Sequence, residues 1–314
     1  MSTAFDRRQS VPASVSPRIW AVGGGKGGVG KSVVTANLAV ALTRAGKRCI
    51  ILDADLGGAN LHTLFGISHP SLSLTDLLSR RVDSLTDLLL PTGVPRLHLI
   101  SGVTSRTDLA NLPHAQKLKI IRQLGTLETD YLLLDLGAGS TFNVLDFFLA
   151  ADVRLLVVTP QPTAIENAYL LLKAAFARHL KQVVSRLGAA SPFDTAVRDR
   201  EQLGIRTPAD LLAHLHRLDP PAGEAIASEM HSFAPRIIVN QIRREDELEL
   251  GEQMALAASN YFGIRIGSLG SIHDDDEVHR AVQMKRPVLE LSPQARFSQG
   301  VNGLTRALLD AEET

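Results

Sequence analysis

The sequence has one cysteine, few aromatic residues, no excess charge of either sign and no long hydrophobic run. Cys49 alone among 314 residues cannot form an internal disulfide, an iron–sulfur cluster or a cysteine-rich zinc site. Aromatic residues make up 4%, too few for the stacking platforms that bind single-stranded nucleic acid. Lys plus Arg equals Asp plus Glu, at 33 each, which disfavours a globally basic nucleic-acid-binding protein but not a local basic patch.

No stretch approaches the ~18–20 consecutive apolar residues of a membrane span. No apolar segment follows Asp6, Arg7 and Arg8, as it would in a secretory signal. A cytosolic protein is therefore expected. Hydrophobic residues at 45% and charged residues at 21% are ordinary for a globular protein, and the length allows two domains or one large α/β domain.

Short apolar runs alternate with longer segments of helical periodicity. The runs are nearly continuous rather than alternating, as in a parallel sheet covered by helices on both faces. The prediction is a doubly wound α/β fold with a mostly parallel sheet. Strands are expected at 18–22, 49–53, 97–101, 131–135, 153–159, 236–240 and 264–269, and helices at 31–45, 114–124, 165–187, 245–262 and 294–309.

Three stretches fall outside this alternation. Residues 1–17 are polar and rich in Ser and Pro, which predicts a flexible leader, and residues 310–314 form an acidic tail. Residues 188–235 are rich in proline, with a short helical pattern at 208–218. We expect an elaborated insertion there, within a single domain spanning 18–309.

The strongest motif is Gly25-Lys26-Gly27-Gly28-Val29-Gly30-Lys31-Ser32, which fits the P-loop pattern G-x-x-x-x-G-K-[ST]. It lies between a predicted strand and a predicted helix, as a P-loop requires. Glycines let backbone N–H groups point at phosphate oxygens, and the helix N-terminus adds a positive field. Lys31 would reach the β- and γ-phosphates, and the Ser32 hydroxyl would bind Mg²⁺.

Lys26 is not required of an ordinary P-loop. With it, the loop resembles the deviant Walker A motif of the MinD/ParA family of ATPases. The resemblance implies an ATP- and Mg²⁺-dependent homodimer in which Lys26 and Lys31 are catalytic and Lys26 reaches the phosphates of the partner's nucleotide. The motif and the following Val33 would bind the nucleotide. A solvent-exposed loop lysine is the alternative for Lys26.

Carboxylates end two of the predicted strands. Asp53 and Asp55 lie at the C-terminal end of the strand that follows the P-loop and its helix, and Asp135 ends a later strand. The C-terminal ends of strands are where α/β sheets bind ligands, so these carboxylates are expected beside the P-loop. By resemblance, Asp55 would orient or activate the attacking water. Asp53 would support the metal or its waters, and Asp135 would hold Mg²⁺ as the Walker B residue. Gly137 and Gly139 would sense the γ-phosphate. Capping of the next turn is the alternative for Asp53 and Asp55.

Two positions match the family's base-binding site. Asn240 ends the sixth predicted strand, and its amide could pair with N6 and a ring nitrogen of adenine. Asp275 lies in the stretch 269–278, which resembles the family's L-G-x-I-P-x-D-x-x-V segment with His273 in place of the proline. An acidic first turn of the next helix is the equally open alternative for Asp275.

The segment Asp53-Ala54-Asp55-Leu56-Gly57-Gly58-Ala59-Asn60-Leu61 and the stretch 159–169 resemble the MinD and flagellar number regulator (FlhG/FleN-like) branch. That branch implies a bacterial, cytoplasmic switch with slow hydrolysis and an activating protein partner, controlling the position or number of a cellular structure. The iron–sulfur carriers with the same loop need paired cysteines, which this chain lacks. The acidic C-terminal residues do not support a membrane-targeting helix.

Two alternative functions stay open. One is a partition ATPase whose ATP dimer binds non-specific DNA, supported only by ten Lys and Arg against seven Asp and Glu between 178 and 244. The other is an ATP-binding adaptor with little hydrolysis, with residues 188–235 as its docking surface.

Overall fold

The computed structural model describes residues 16–102 and 113–313. Within them, eight strands form one sheet in the order β3-β4-β2-β5-β1-β6-β7-β8. All neighbours are parallel except β3 and β4, which confirms the doubly wound, mostly parallel sheet. The strands are β1 (Arg18–Gly24), β2 (Cys49–Ala54), β3 (Leu90–Pro91), β4 (Leu97–Ile100), β5 (Tyr131–Ala138), β6 (Val153–Val158), β7 (Arg236–Ile242) and β8 (Gly267–His273).

Helices connect these strands and cover the sheet. None of those in the described residues is long and apolar enough to cross a membrane. They are α1 (Lys31–Arg44), α2 (Leu74–Leu78), α3 (His114–Leu124), α4 (Phe142–Ala150), α5 (Pro162–Arg186), α6 (Ala190–Arg198), α7 (Pro208–Leu218), α8 (Pro220–His231), α9 (Leu250–Phe262), α10 (Asp276–Gln283), α11 (Val288–Leu291) and α12 (Arg296–Glu313).

The central strands are buried on both faces. Every residue of β2 and β6 is buried, which is why their sequences are continuous apolar runs. α1 ends at Arg44, and Gly46 beyond it adopts the left-handed conformation with φ 85°, as expected after a helix C-terminus.

The predicted strand at 264–269 is displaced in the structure, where β8 runs over Gly267–His273. Ile264 and Ile266 are buried, but they lie in the connection after Gly263, which ends α9 with φ 69°. Their apolar character therefore reflects burial rather than strand pairing. Similarly, α9 begins at Leu250 instead of 245, because Glu245–Glu247 forms a separate 3-10 turn.

Residues 188–235 contain three helices where one was expected. The helix at Pro208–Leu218 is confirmed, and Thr207 and Asp210 cap its first turn reciprocally. α8 was missed because Pro220 and Pro221 suggest a break, whereas they occupy its first turn, a position that needs no backbone N–H donor. α7 and α8 pack closely, since a Cβ on Gly223 would lie 2.3 Å from the His216 Cα.

The last helix extends beyond the predicted limit of 309, so most of the stretch expected as an acidic tail is helical. Glu312 lies beside the starts of β1 and β5 and accepts hydrogen bonds from three groups. These are Arg18 Nε at 3.1 Å, Trp20 Nε1 at 3.1 Å and the Tyr131 hydroxyl at 2.8 Å. Burial, and then this carboxylate, raise the pKa of Tyr131.

We expect Glu312→Ala to lower the free energy of unfolding by roughly 1–3 kcal/mol, because it leaves the buried Trp20 Nε1–H without an acceptor. Glu312→Gln keeps an acceptor oxygen and should lose less. Urea unfolding followed by tryptophan fluorescence measures both, since Trp20 is the only tryptophan. Equal losses in the two variants would argue against the indole hydrogen bond as the main contribution.

Candidate functional site

The loop between β1 and α1 forms an open concave backbone surface. Gly28 and Gly30 have φ of 82° and 87°, values that glycine adopts without strain. A Cβ on Gly27 or Gly28 would meet no atom within 4 Å, so open space lies over this part of the loop. The N-terminus of α1 follows directly at Lys31. Backbone N–H groups in such a loop, next to a helix N-terminus, form an anion-binding surface.

The loop is held from two sides. A Cβ on Gly25 would lie 2.1 Å from the backbone of Asn167 in α5, so the two backbones are in direct contact. On the other side, Asn240 Nδ2 at the end of β7 donates to the Val29 carbonyl at 2.9 Å. A Cβ on Gly30 would lie 2.4 Å from that same nitrogen. Both glycines therefore permit contacts that no other residue could make.

Lys31, Ser32 and Asp135 converge at the start of α1. Lys31 is buried, and both its charge and a hydrogen bond from the Ser32 side chain act on the Asp135 carboxylate. Thr35 Oγ1 lies 3.1 Å from Asp135 Oδ1 and 2.9 Å from the Lys31 carbonyl. Sequence analysis missed Thr35, although its position one turn after Lys31 on the same helix could have indicated it.

Two buried carboxylates stand side by side in the sheet. Asp53 on β2 and Asp135 on β5 are register partners, and both are about 1% exposed. Burial is the main cause that raises the pKa of Asp135, to about 6. The pKa of Asp53 is also raised well above its ordinary value, first by burial and then by Asp135. Asp53 accepts from the backbone N–H groups of Asp55 and Leu61 at 3.2 and 3.0 Å. These bonds agree with the alternative for Asp53, which is capping of the next turn.

Asp55 faces the end of β5. A Cβ on Gly137 would lie 3.1 Å from Asp55 Oδ1, so the carboxylate is next to the predicted switch. Gly139 has φ 82°, and its N–H donates to the Gly24 carbonyl at 3.1 Å. The switch loop is thus attached to the end of β1, from which the P-loop starts.

Lys26 is exposed, and its Nζ donates to Thr163 Oγ1 in the first turn of α5 at 3.0 Å. Thr163 is a further residue that sequence analysis missed. Val33 is half-buried on α1.

The two residues expected at the base site differ in their surroundings. Asn240 is buried against the P-loop, as described above. Asp275 instead caps α10 by accepting from the Glu277 N–H at 3.0 Å, and it also accepts from the Phe297 N–H of α12 at 3.1 Å, which favours the alternative of an acidic start to the next helix. Gln241, which sequence analysis did not consider, has φ 61°, and its Nε2 is 3.8 Å from the Cβ position of Gly30.

The profile of the ParA family, described as the NUBPL iron-transfer P-loop NTPase, matches residues 16–185, more than half of the 314 residues. The chain belongs to the ParA/MinD family of P-loop NTPases. The matched residues include the P-loop and the ends of β2 and β5, where the candidate site lies.

Among curated ParA/MinD relatives, the antiactivator FleN of Pseudomonas aeruginosa is 41% identical over 158 residues, covering 50% of this chain and 55% of FleN. The flagellum site-determining protein YlxH of Helicobacter pylori is 35% identical over 156 residues, covering 49% and 52%. The septum site-determining protein MinD of Synechocystis is 33% identical over 175 residues, covering 54% and 65%. The chain thus spans about half the length of FleN and YlxH.

Solved MinD structures match more of the chain at lower identity. The cell division ATPase MinD of Pyrococcus furiosus superposes with a TM-score of 0.62 at 20% identity, covering 94% of this chain and 99% of that one. MinD complexed with Mg-ADP from Pyrococcus horikoshii OT3 gives 0.62 at 19% identity, covering 95% and 99%. These matches show that the family fold extends over nearly the whole chain.

Proposed function

We propose that this protein is a dimerising switch ATPase of the MinD/ParA type, which hydrolyses ATP to ADP and phosphate with Mg²⁺. The observation that carries the proposal is the buried Asp135, whose charged form is favoured by Ser32 and by the charge of Lys31, beneath an open P-loop that presents an exposed Lys26. FleN and YlxH among its relatives support a role in the number or position of flagella, and MinD supports a role in septum placement. An activating protein partner and a cytoplasmic location belong to the same proposal.

The residues present fit a nucleotide with its magnesium ion. The space over Gly27 and Gly28 leaves room for phosphates, and hydroxyl and carboxylate oxygens are the donors that Mg²⁺ prefers. The described residues contain no group of three His, Cys, Asp or Glu side chains able to hold a metal by themselves. Phosphate oxygens and water would complete the coordination. When bound, Mg²⁺ would neutralise charge on the β- and γ-phosphates.

Each candidate side chain has one task in this proposal. Lys31 and the loop N–H groups bind the phosphates, while Ser32 and Asp135 hold the metal and Asp53 orients its surroundings. Asp55 positions the attacking water beside Gly137. Lys26 leaves Thr163 and neutralises phosphate charge in the partner subunit. Loss of the γ-phosphate removes these contacts, so the dimer dissociates.

Two other activities are less well supported. Of the ten cations between 178 and 244, at least five pair with carboxylates, which weakens a DNA-binding surface. These are Arg178, Arg186, Arg198, Arg243 and Arg244. The single cysteine, Cys49, is buried, so we do not extend to this chain the iron-transfer activity named in the family description.

Measuring the mass in solution with ATP and Mg²⁺, with ADP, and with neither tests the switch. We expect a dimer only with ATP in the wild type. Asp55→Ala should prolong the dimer because hydrolysis is slowed, and Lys26→Ala should remain monomeric while still binding ATP.

Lys181→Ala removes a lysine exposed on α5 and serves as the matched control, which should dimerise like the wild type. A wild type that binds ATP tightly but stays monomeric under every condition would contradict the switch and favour the adaptor.

A further inference from the structure

One face of α5 is left open between its neighbouring helices. The residues on this face recur with helical spacing at positions 166, 169, 170, 173, 176, 177 and 180. A cavity of about 390 Å³ lies between the first part of this face and α9. A second cavity, of about 330 Å³, lies between the later part and the helices α6 and α7.

The two cavities are adjacent, because Lys173 and Tyr261 line both, and together they are called the groove below. Phe176 and Leu180 form part of its floor, and Val197 is an exposed apolar residue on its wall. From residue 166 to residue 180, α5 advances about 21 Å at 1.5 Å per residue. A groove of that length between helices matches one amphipathic helix of about four turns.

The charges on the rim determine which helix fits. Lys173, Arg200 and Arg206 are exposed lining residues, and none of them forms a salt bridge with a described residue. Glu166, at the far end, is the single carboxylate that lines either cavity. The rim therefore attracts acidic side chains and repels basic ones. The chain's own residues 1–15 carry Arg7 and Arg8 against Asp6, the wrong sign for this groove.

We propose that this groove, formed by α5, α6, α7 and α9, binds an acidic amphipathic helix of a protein partner. Its apolar face would cover the exposed Leu170 and Val197, and its acidic flank would meet Lys173, Arg200 and Arg206. Burial of the apolar face supplies the affinity, and the cations select the partner.

The groove is connected to the candidate nucleotide site through α5 itself. The first turn of α5 holds Lys26 through Thr163, and its second turn contacts Gly25 at Asn167. A helix docked on α5 can thus act on the P-loop and stimulate hydrolysis. This last step rests on the proposed function, whereas binding to the groove does not.

Fluorescence anisotropy with a designed probe on the full chain tests the proposal. The probe is a fluorescein-labelled helical peptide of about 14 residues, with leucine at i, i+3, i+4 and i+7 and glutamate on its flanks. A second probe carries lysine in place of glutamate. We expect the acidic probe to bind at least about tenfold more tightly than the basic one, and Lys173→Glu with Arg200→Glu to reverse that order.

The matched control is Lys181→Glu with Arg198→Glu, which changes the net charge equally at a second lysine of α5 and at the last residue of α6, two residues before Arg200, and neither residue lines the groove. It should keep the wild-type preference. Equal binding of both probes, no binding up to about 1 mM, or the same loss in the control would overturn the proposal. Concentration-dependent self-association that Lys173→Glu with Arg200→Glu abolishes would also overturn it, because a second copy would then be the occupant.

ATPase rates with and without the acidic probe are read separately. If the wild type binds the probe but shows no ATPase activity, the proposed function is rejected and the groove proposal is retained. If the wild type shows ATPase activity but does not bind the probe, the groove proposal is rejected and the proposed function is retained.

Discussion

Gly30→Ala is expected to weaken binding of a fluorescent ADP analogue by roughly a hundredfold or more and to lower the free energy of unfolding by roughly 2–5 kcal/mol. Alanine at φ 87° is strained by its own Cβ, and that Cβ would lie 2.4 Å from Asn240 Nδ2. The clash displaces either the loop or the end of β7. In both cases the N–H groups that face the phosphates lose their arrangement.

Gly46→Ala is the matched control, because φ is 85° there and the nearest atom, on Arg96, is 3.7 Å from the added Cβ. It should lose only the cost of the left-handed conformation, roughly 1–2 kcal/mol, and bind nucleotide normally. The double variant Gly30→Ala with Asn240→Ala removes the clash and should recover part of the stability. If Gly30→Ala retained wild-type affinity, the contact between β7 and the P-loop would have no role in binding.

The parts of the site that the sequence predicted lie on regular elements. Asp53 and Asp135 lie near the carboxyl ends of buried strands and the P-loop follows another, and parallel strands bring their carboxyl ends to one edge of the sheet. Proximity of these residues therefore follows from the strand pattern alone. The fold class could be predicted for the same reason, since continuous apolar runs separated by helices permit few other arrangements.

The remaining features depend on packing that the sequence does not encode locally. The contact of Asn240 with Val29 joins elements about 200 residues apart, and the bond from the Phe297 N–H to Asp275 spans more than twenty residues. The three-helix arrangement at 188–235 was obscured because proline both breaks helices and begins them. The groove on α5 involves residues from four helices, so no single stretch of sequence indicates it.

Asp135→Asn is expected to bind Mg-ADP more weakly yet to be more stable than the wild type at pH 8 without nucleotide or metal. Burial raises the pKa of Asp135 from its ordinary 3.8 to about 6 in the folded protein, so the folded state binds this proton more tightly than the unfolded state. The stability that results is present below pH 4 and is lost as the pH rises through about 6. At about 1.36 kcal/mol per pKa unit, the loss is at most about 3 kcal/mol, and asparagine avoids it.

Urea unfolding at pH 5 and pH 8 in EDTA measures the difference between wild type and variant, which should grow with pH. Asp53→Asn is the informative comparison, because both Asp53 oxygens accept backbone N–H groups and an amide nitrogen would face one of these donors. That variant should therefore gain less than Asp135→Asn, or lose stability. A stability difference for Asp135→Asn that is the same at both pH values would mean that the buried charge is stabilised in the free protein. The site would then not depend on a bound cation to offset it.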